Sequence, residues 1–155
     1  RAFNTEKWLM NSGDRIKTFV EGGGNFVVTY TTAGRSGIEL PTPLPLVIGR
    51  DRVTEEEAPI TLSKHPILSS PNEITASDFD YWVQERGLYF PKSFEGYNEV
   101  LTIMESTGTN YSNSTVVGHF GKGSVIYTGL SLFRELPAGV PGAMKLLQNI
   151  LHYDH

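Results

Sequence analysis

Phe19-Val20-Glu21-Gly22-Gly23-Gly24-Asn25-Phe26-Val27-Val28-Thr29-Tyr30-Thr31 is the stretch on which the fold turns. Upstream of it, Trp8, Leu9, Ile16, Phe19 and Val20 recur at helical spacing, and Asn4 or Thr5 can cap the first orphan amides. Asn11-Ser12-Gly13 interrupts that run and predicts a kink or a split into shorter helices. The glycine triplet supplies the left-handed stop that helix ends favour. Residues 25–31 are β-branched and aromatic, and read as a strand. Helix, glycine stop and apolar strand make half of a βαβ unit. A crossover helix needs a strand before it, and only a few residues precede this one. The expectation is therefore an N-terminally truncated piece of a layered sheet. An α+β domain that opens on a helix is the alternative.

Working outward, residues 32–45 are rich in Gly, Pro and Thr and read as a loop. Leu46-Val47-Ile48 and Ile60-Thr61-Leu62 read as short strands around the acidic turn 54–57. Thr75 or Ser77 can cap a short helix over 78–83, with carboxylates in its first turn. Leu88-Tyr89-Phe90 reads as a brief strand ended by Pro91, and 99–104 as another. The last third is the clearest. Runs 115–120 and 124–128 flank Gly121-Lys122-Gly123 and predict an antiparallel hairpin. Beyond a Gly/Pro-rich loop, Val140, Met144, Leu147, Ile150 and Leu151 mark the apolar face of a helix over 140–153, with Pro141 in its first turn.

The 155 residues suffice for one domain with its own core. No apolar run approaches the roughly 20 residues of a membrane span. With 13 basic and 17 acidic residues the net charge is −4, and the densest cationic cluster is Arg50 with Arg52, too little for a nucleic-acid backbone reader. The absence of cysteine excludes disulfides, thiolate metal sites and cysteine nucleophiles.

The four histidines, His65, His119, His152 and His155, do not pair at metal-ligand spacing, so no metal site and no cofactor are expected. Gly121-Lys122-Gly123-Ser124 lacks the leading glycine and following helix of a phosphate loop and reads as a turn. Asn110-Tyr111-Ser112 and Asn113-Ser114-Thr115 satisfy the glycosylation pattern, which has meaning only in a eukaryotic secretory setting. Asp78, Asp80, Glu85 and Arg86 gather around Trp82. Such carboxylates can do acid–base work on a sugar, with Trp82, Tyr81 or Tyr89 as a stacking platform. Equally, Glu85 and Arg86 can anchor a turn by ion pairs while Trp82 packs in the core. Arg134-Glu135 has the same two readings.

Phe120-Gly-Lys-Gly-Ser-Val-Ile-Tyr-Thr-Gly-Leu130 resembles the closing hairpin of the class I glutamine-amidotransferase-like superfamily, which includes the ThuA-like domains. Arg50-Asp-Arg-Val53 with Ala58-Pro59, Trp82-Val-Gln-Glu-Arg-Gly-Leu-Tyr-Phe90 and Phe133-Arg-Glu-Leu-Pro-Ala-Gly-Val-Pro-Gly142 resemble the C-terminal region of long bacterial PIG-L/LmbE-type deacetylases. The resemblance implies an α/β fold of the class I glutamine-amidotransferase-like, or flavodoxin-like, kind with an antiparallel C-terminal hairpin. It implies a non-catalytic accessory module that supports the deacetylase domain of the same parent chain or binds carbohydrate, in an extracytoplasmic setting. The metal-binding motif of the deacetylase and the cysteine nucleophile of the amidotransferases are both missing, so no catalytic residue is assigned. Candidate binding residues are Trp82, Glu85, Arg86, Arg134 and Glu135. A stand-alone ThuA-like ligand-binding or hydrolytic domain is the second reading. An unpaired sheet edge would also make the isolated chain self-associate.

Overall fold

The structure, a computed structural model, describes residues 1–154; His155 lies outside the described residues. Three helices open the chain: α1 (Ala2–Thr5), α2 (Lys7–Met10) and α3 (Gly13–Glu21). They are the pieces of the interrupted helix, broken at Glu6 as well as at Asn11-Ser12. Neither Asn4 nor Thr5 caps. Instead Asn4 clasps Thr32, donating to its carbonyl at 2.8 Å and accepting from its amide at 3.2 Å.

The strands follow as β1 (Asn25–Thr29), β2 (Ile38–Leu40), β3 (Leu46–Val53), β4 (Ile60–Leu62), β5 (Gly87–Ser93), β6 (Tyr97–Glu99), β7 (Leu101–Met104), β8 (Asn110–Tyr111), β9 (Thr115–Phe120) and β10 (Gly123–Thr128). Two further helices, α4 (Leu132–Glu135) and α5 (Pro141–Leu151), complete the chain. The main sheet has the order β1-β10-β9-β6, and two three-stranded sheets have the orders β2-β3-β5 and β4-β7-β8. The architecture is thus mixed α/β with several sheets. β1 runs parallel to β10, from Asn25 opposite Ser124 to Thr29 opposite Thr128, and forms an edge of its sheet. The other ladders are antiparallel. The expected hairpin is present, with Gly121 at φ 60° in its turn.

Period-2 alternation sends successive side chains of the main sheet to opposite faces. Val28, Val116, Val125 and Tyr127 pack with Ile16 and Val20 of α3 and with Leu46 and Ile48 of β3. Val117 and Ile126 pack on the other face with Ala143, Leu146 and Ile150 of α5. Both faces are covered, as the nearly continuous apolar runs require.

Several local expectations need correction. The presumed loop 32–45 contains β2, and β3 continues to Val53 through breaks in register. Pro91 does not end its strand, because β5 runs on to Ser93 with Pro91 opposite Ile48 beside such a break, where a missing amide is tolerated. The helix expected over 78–83 is a 3-10 turn, Ala76–Phe79, whose capping box joins Thr75 and Asp78. On α5 the buried face is Ala143, Leu146, Asn149 and Ile150, while Met144 and Leu151 are exposed. Asn149 is buried there because its amide bridges Ile67 and Asn72, donating to both carbonyls at 2.8 Å.

Candidate functional site

In open α/β sheets, ligands collect where parallel strands end at their carboxyl termini. Beyond β1 at that end stands Tyr30, and beyond β10 come Gly129, Leu130 and Ser131. The start of β5 is stitched across them: Leu88 donates to the Gly129 carbonyl at 2.9 Å, and the Ser131 hydroxyl donates to the Glu85 carbonyl at 2.7 Å. Gly87 permits this crossing, since a Cβ there would lie 2.5 Å from the Gly129 oxygen.

A cavity of about 470 Å³ opens at this junction, lined by Tyr30, Arg50, Arg52, Glu85, Leu88 and Tyr89. The Tyr30 ring meets Tyr89 edge-on at 5.5 Å and Phe133 at 4.7 Å. Arg134 lies over the Phe133 ring at 5.0 Å and donates from Nε to Glu85 Oε1 at 2.5 Å. Tyr30 and Tyr89 have left-handed backbones, φ 42° and 57°, as do Tyr81 and Gln84 at 62° and 68°. Non-glycine residues held this way cost free energy and concentrate at functional sites. Tyr89 is fixed from behind, where the buried Tyr127 hydroxyl donates to its carbonyl at 2.7 Å. Next to Tyr30, the buried Thr31 hydroxyl has no hydrogen-bond partner among the described residues.

The five expected binding residues come together, but in two layers. Glu85 reaches the cavity, and Arg134 is its ion-pair partner on α4, a helix where the sequence had suggested only a loop. Trp82, Arg86 and Glu135 lie behind. Trp82 is 4% exposed, so it is core and not a platform, with its indole N–H donating to the Asp78 carbonyl at 3.0 Å. Arg86, 5% exposed, forms no turn-anchoring ion pair among the described residues. Its Nε donates to the Ala58 carbonyl at 3.1 Å, its Nη1 to the Phe79 carbonyl at 2.5 Å, and its guanidinium sits over the Phe79 and Trp82 rings. Glu135 is fully buried and accepts from the Val83 amide at 2.5 Å. Burial pushes its carboxyl above the usual range, opposed by that amide and by the Arg86 charge. Asp78 pairs with Lys145 at 2.9 Å, away from the cavity.

Tyr30, Arg50, Arg52 and Phe133 were not foreseen as site residues; of the three rings offered as a stacking platform, Tyr89 lines the cavity and Tyr81 does not. The one available signal was the Arg-Asp-Arg alternation on a strand, which sends two guanidiniums to the same side. Neither Arg50 nor Arg52 has a carboxylate within ion-pair distance among the described residues. At the opposite end of the molecule the rings of His65 and His119 flank Tyr153, at 5.6 and 5.9 Å. No group of three or more acidic, histidine or cysteine side chains that could hold a metal ion occurs among the described residues, and no helix among them is long and apolar enough to cross a membrane. Chemically, the cavity offers cations, hydroxyl-bearing rings and one arginine-bound carboxylate, a set suited to holding a polar ligand.

The chain matches no family model and no curated protein. Among solved structures it is similar to the cold-adapted β-galactosidase from Rahnella sp. R3, with a TM-score of 0.49 and 18% identity over 89% of this chain. The chain spans 21% of that protein's length.

Proposed function

We propose that this chain is a non-catalytic accessory module of the kind that follows the catalytic domain in PIG-L/LmbE-type deacetylases, and that it binds carbohydrate in the cavity at the ends of β1 and β10. The finer fold assignment, a class I glutamine-amidotransferase-like sheet, belongs to the same proposal and draws support from the parallel pairing of β1 with β10 behind α3. The observation that carries the functional reading is how the acidic residues are used. Glu85 is neutralised by Arg134 and Glu135 is bonded to a backbone amide, so neither stands as a free acid or base beside the other. Tyrosine rings and arginines remain facing the cavity, and aromatic faces with hydrogen-bonding rims are what sugars pack against.

The test is a pair of measurements on the purified chain. Titration with monosaccharides, followed by amide chemical shifts, should perturb Tyr30, Leu88 and Tyr89 saturably, and Glu85→Ala should weaken the binding. Incubation with N-acetylglucosamine and zinc should release no acetate. Acetate release that a chelator abolishes would overturn the non-catalytic reading, and the absence of any sugar-induced shift would overturn the binding reading.

A further inference from the structure

The cavity wall is asymmetric in charge. Arg50 and Arg52 both line it, and both are exposed. Residues two apart on a strand share a side, so Arg50 and Arg52 point together from β3, beside the breaks in register between Ile48 and Asp51 and between Asp51 and Arg52. The intervening Asp51 does not line the cavity. Among the described residues Glu85 is the one lining carboxylate, and it is already paired with Arg134, while neither β3 guanidinium has a carboxylate within ion-pair distance. Guanidinium forks match carboxylate and phosphate oxygens in pairs. Tyr30 and Tyr89 line the same cavity, held in backbone conformations that the fold maintains at a cost.

We propose that the cavity selects an anionic, monosaccharide-sized ligand: Arg50 and Arg52 grip its carboxylate or phosphate group while its ring lies against Tyr30 and Tyr89. The inference rests on the carbohydrate-binding reading above and adds the charge of the ligand and the residues that read it. At about 470 Å³ the space suits one sugar ring with its acidic substituent and excludes a long oligosaccharide from full enclosure.

Calorimetric or NMR titration of the full chain with glucose, glucuronate, glucose 6-phosphate and inorganic phosphate separates the possibilities. Glucuronate or glucose 6-phosphate should bind at least about tenfold more tightly than glucose, and the advantage should shrink with added salt. R50Q and R52Q, both at exposed positions, should each erase about tenfold of that preference while leaving the far-ultraviolet spectrum unchanged. Glucose binding as tightly as its acids would overturn the inference and leave the carbohydrate-binding reading standing. Inorganic phosphate binding as tightly as glucose 6-phosphate would overturn the role of the ring. Preference unchanged in the R50Q/R52Q double variant would overturn the residue assignment, and no binding of any sugar would overturn both readings.

Discussion

Replacing Arg86 by methionine separates a structural arginine from a ligand-binding one. Methionine approximates the arginine stem, so packing against Phe79 and Trp82 is largely kept and the loss is concentrated in the charged head. Two buried carbonyls, those of Ala58 and Phe79, lose their donors. Leaving a buried group unsatisfied costs about 1–3 kcal/mol. Glu135, fully buried, also loses the positive charge that offsets its desolvation. Two orphaned carbonyls together with the less compensated Glu135 put the cost of Arg86→Met at about 3–5 kcal/mol. For a domain of this size that lowers Tm by about 6–20 °C. Urea unfolding followed by tryptophan fluorescence and near-ultraviolet dichroism reads the effect directly, since Trp82 packs beneath the guanidinium. Arg134→Met is the contrast: its guanidinium is partly exposed, and its loss should cost about 1 kcal/mol or less. Adding Glu135→Gln to Arg86→Met should recover part of the loss, because no buried carboxylate is then left uncompensated. A cost for Arg86→Met below about 1 kcal/mol would refute the reasoning.

Three further outcomes are expected. The His65 ring nitrogen accepts from the Ile67 amide at 3.2 Å, and burial together with His119 holds its pKa below the ordinary 6.5. The unfolded chain therefore takes up the proton first, so this contribution is intact above pH 6.5 and is lost as pH falls toward the lower folded value. His65→Asn, which keeps an acceptor, should flatten the fall in stability that sets in below pH 6.5, and parallel curves for variant and wild type would reject this role. Thr31→Val removes an orphaned hydroxyl without changing shape and should leave stability unchanged or raise it by about 1 kcal/mol, whereas a clear loss in chemical denaturation would mean that the hydroxyl is bonded. Trp8 and Phe19, 61% and 54% exposed, line one surface depression with Phe26 of edge strand β1, so the isolated chain should dimerise with concentration in sedimentation velocity, and Trp8→Lys should weaken this. A single monomeric boundary at about 1 mM would count against it.

The parts of the fold that could be read from residue order are those with a strong local signal. β1 after the glycine triplet, the β9–β10 hairpin and α5 all carry apolar runs bounded by glycine or proline. β2, β6 and β8 are two or three residues long, too short for any periodicity to register. β5 passes through Pro91, a residue that ordinarily argues against a strand, because its tolerance depends on a register break supplied by β3. The face of α5 was misread for a related reason: Asn149 is polar by type and buried by virtue of partners at Ile67 and Asn72, far away in the chain. The candidate site divides in the same way. Trp82–Arg86 and Arg134–Glu135 stand out as charged and aromatic clusters, and the fold brings them together. Tyr30, Arg50, Tyr89 and Phe133 come from separate segments. Nothing in a tyrosine announces that its backbone will be left-handed.

The pairing of β1 with β10 has a consequence for how the chain acquires its shape. Asn25 and Ser124, opposite each other in the register, are separated by 99 positions. The hairpin that contains β10 can form from contacts within itself, whereas the ladder that β1 makes among the described residues requires β10. During synthesis from the amino end, β1 therefore waits for β10 while the residues between them are made. Such long-range closure slows folding and lengthens the time in which β1 is open to other chains. A chaperone that shields residues 25–30 should raise the yield of native protein more than one that acts on the already assembled hairpin.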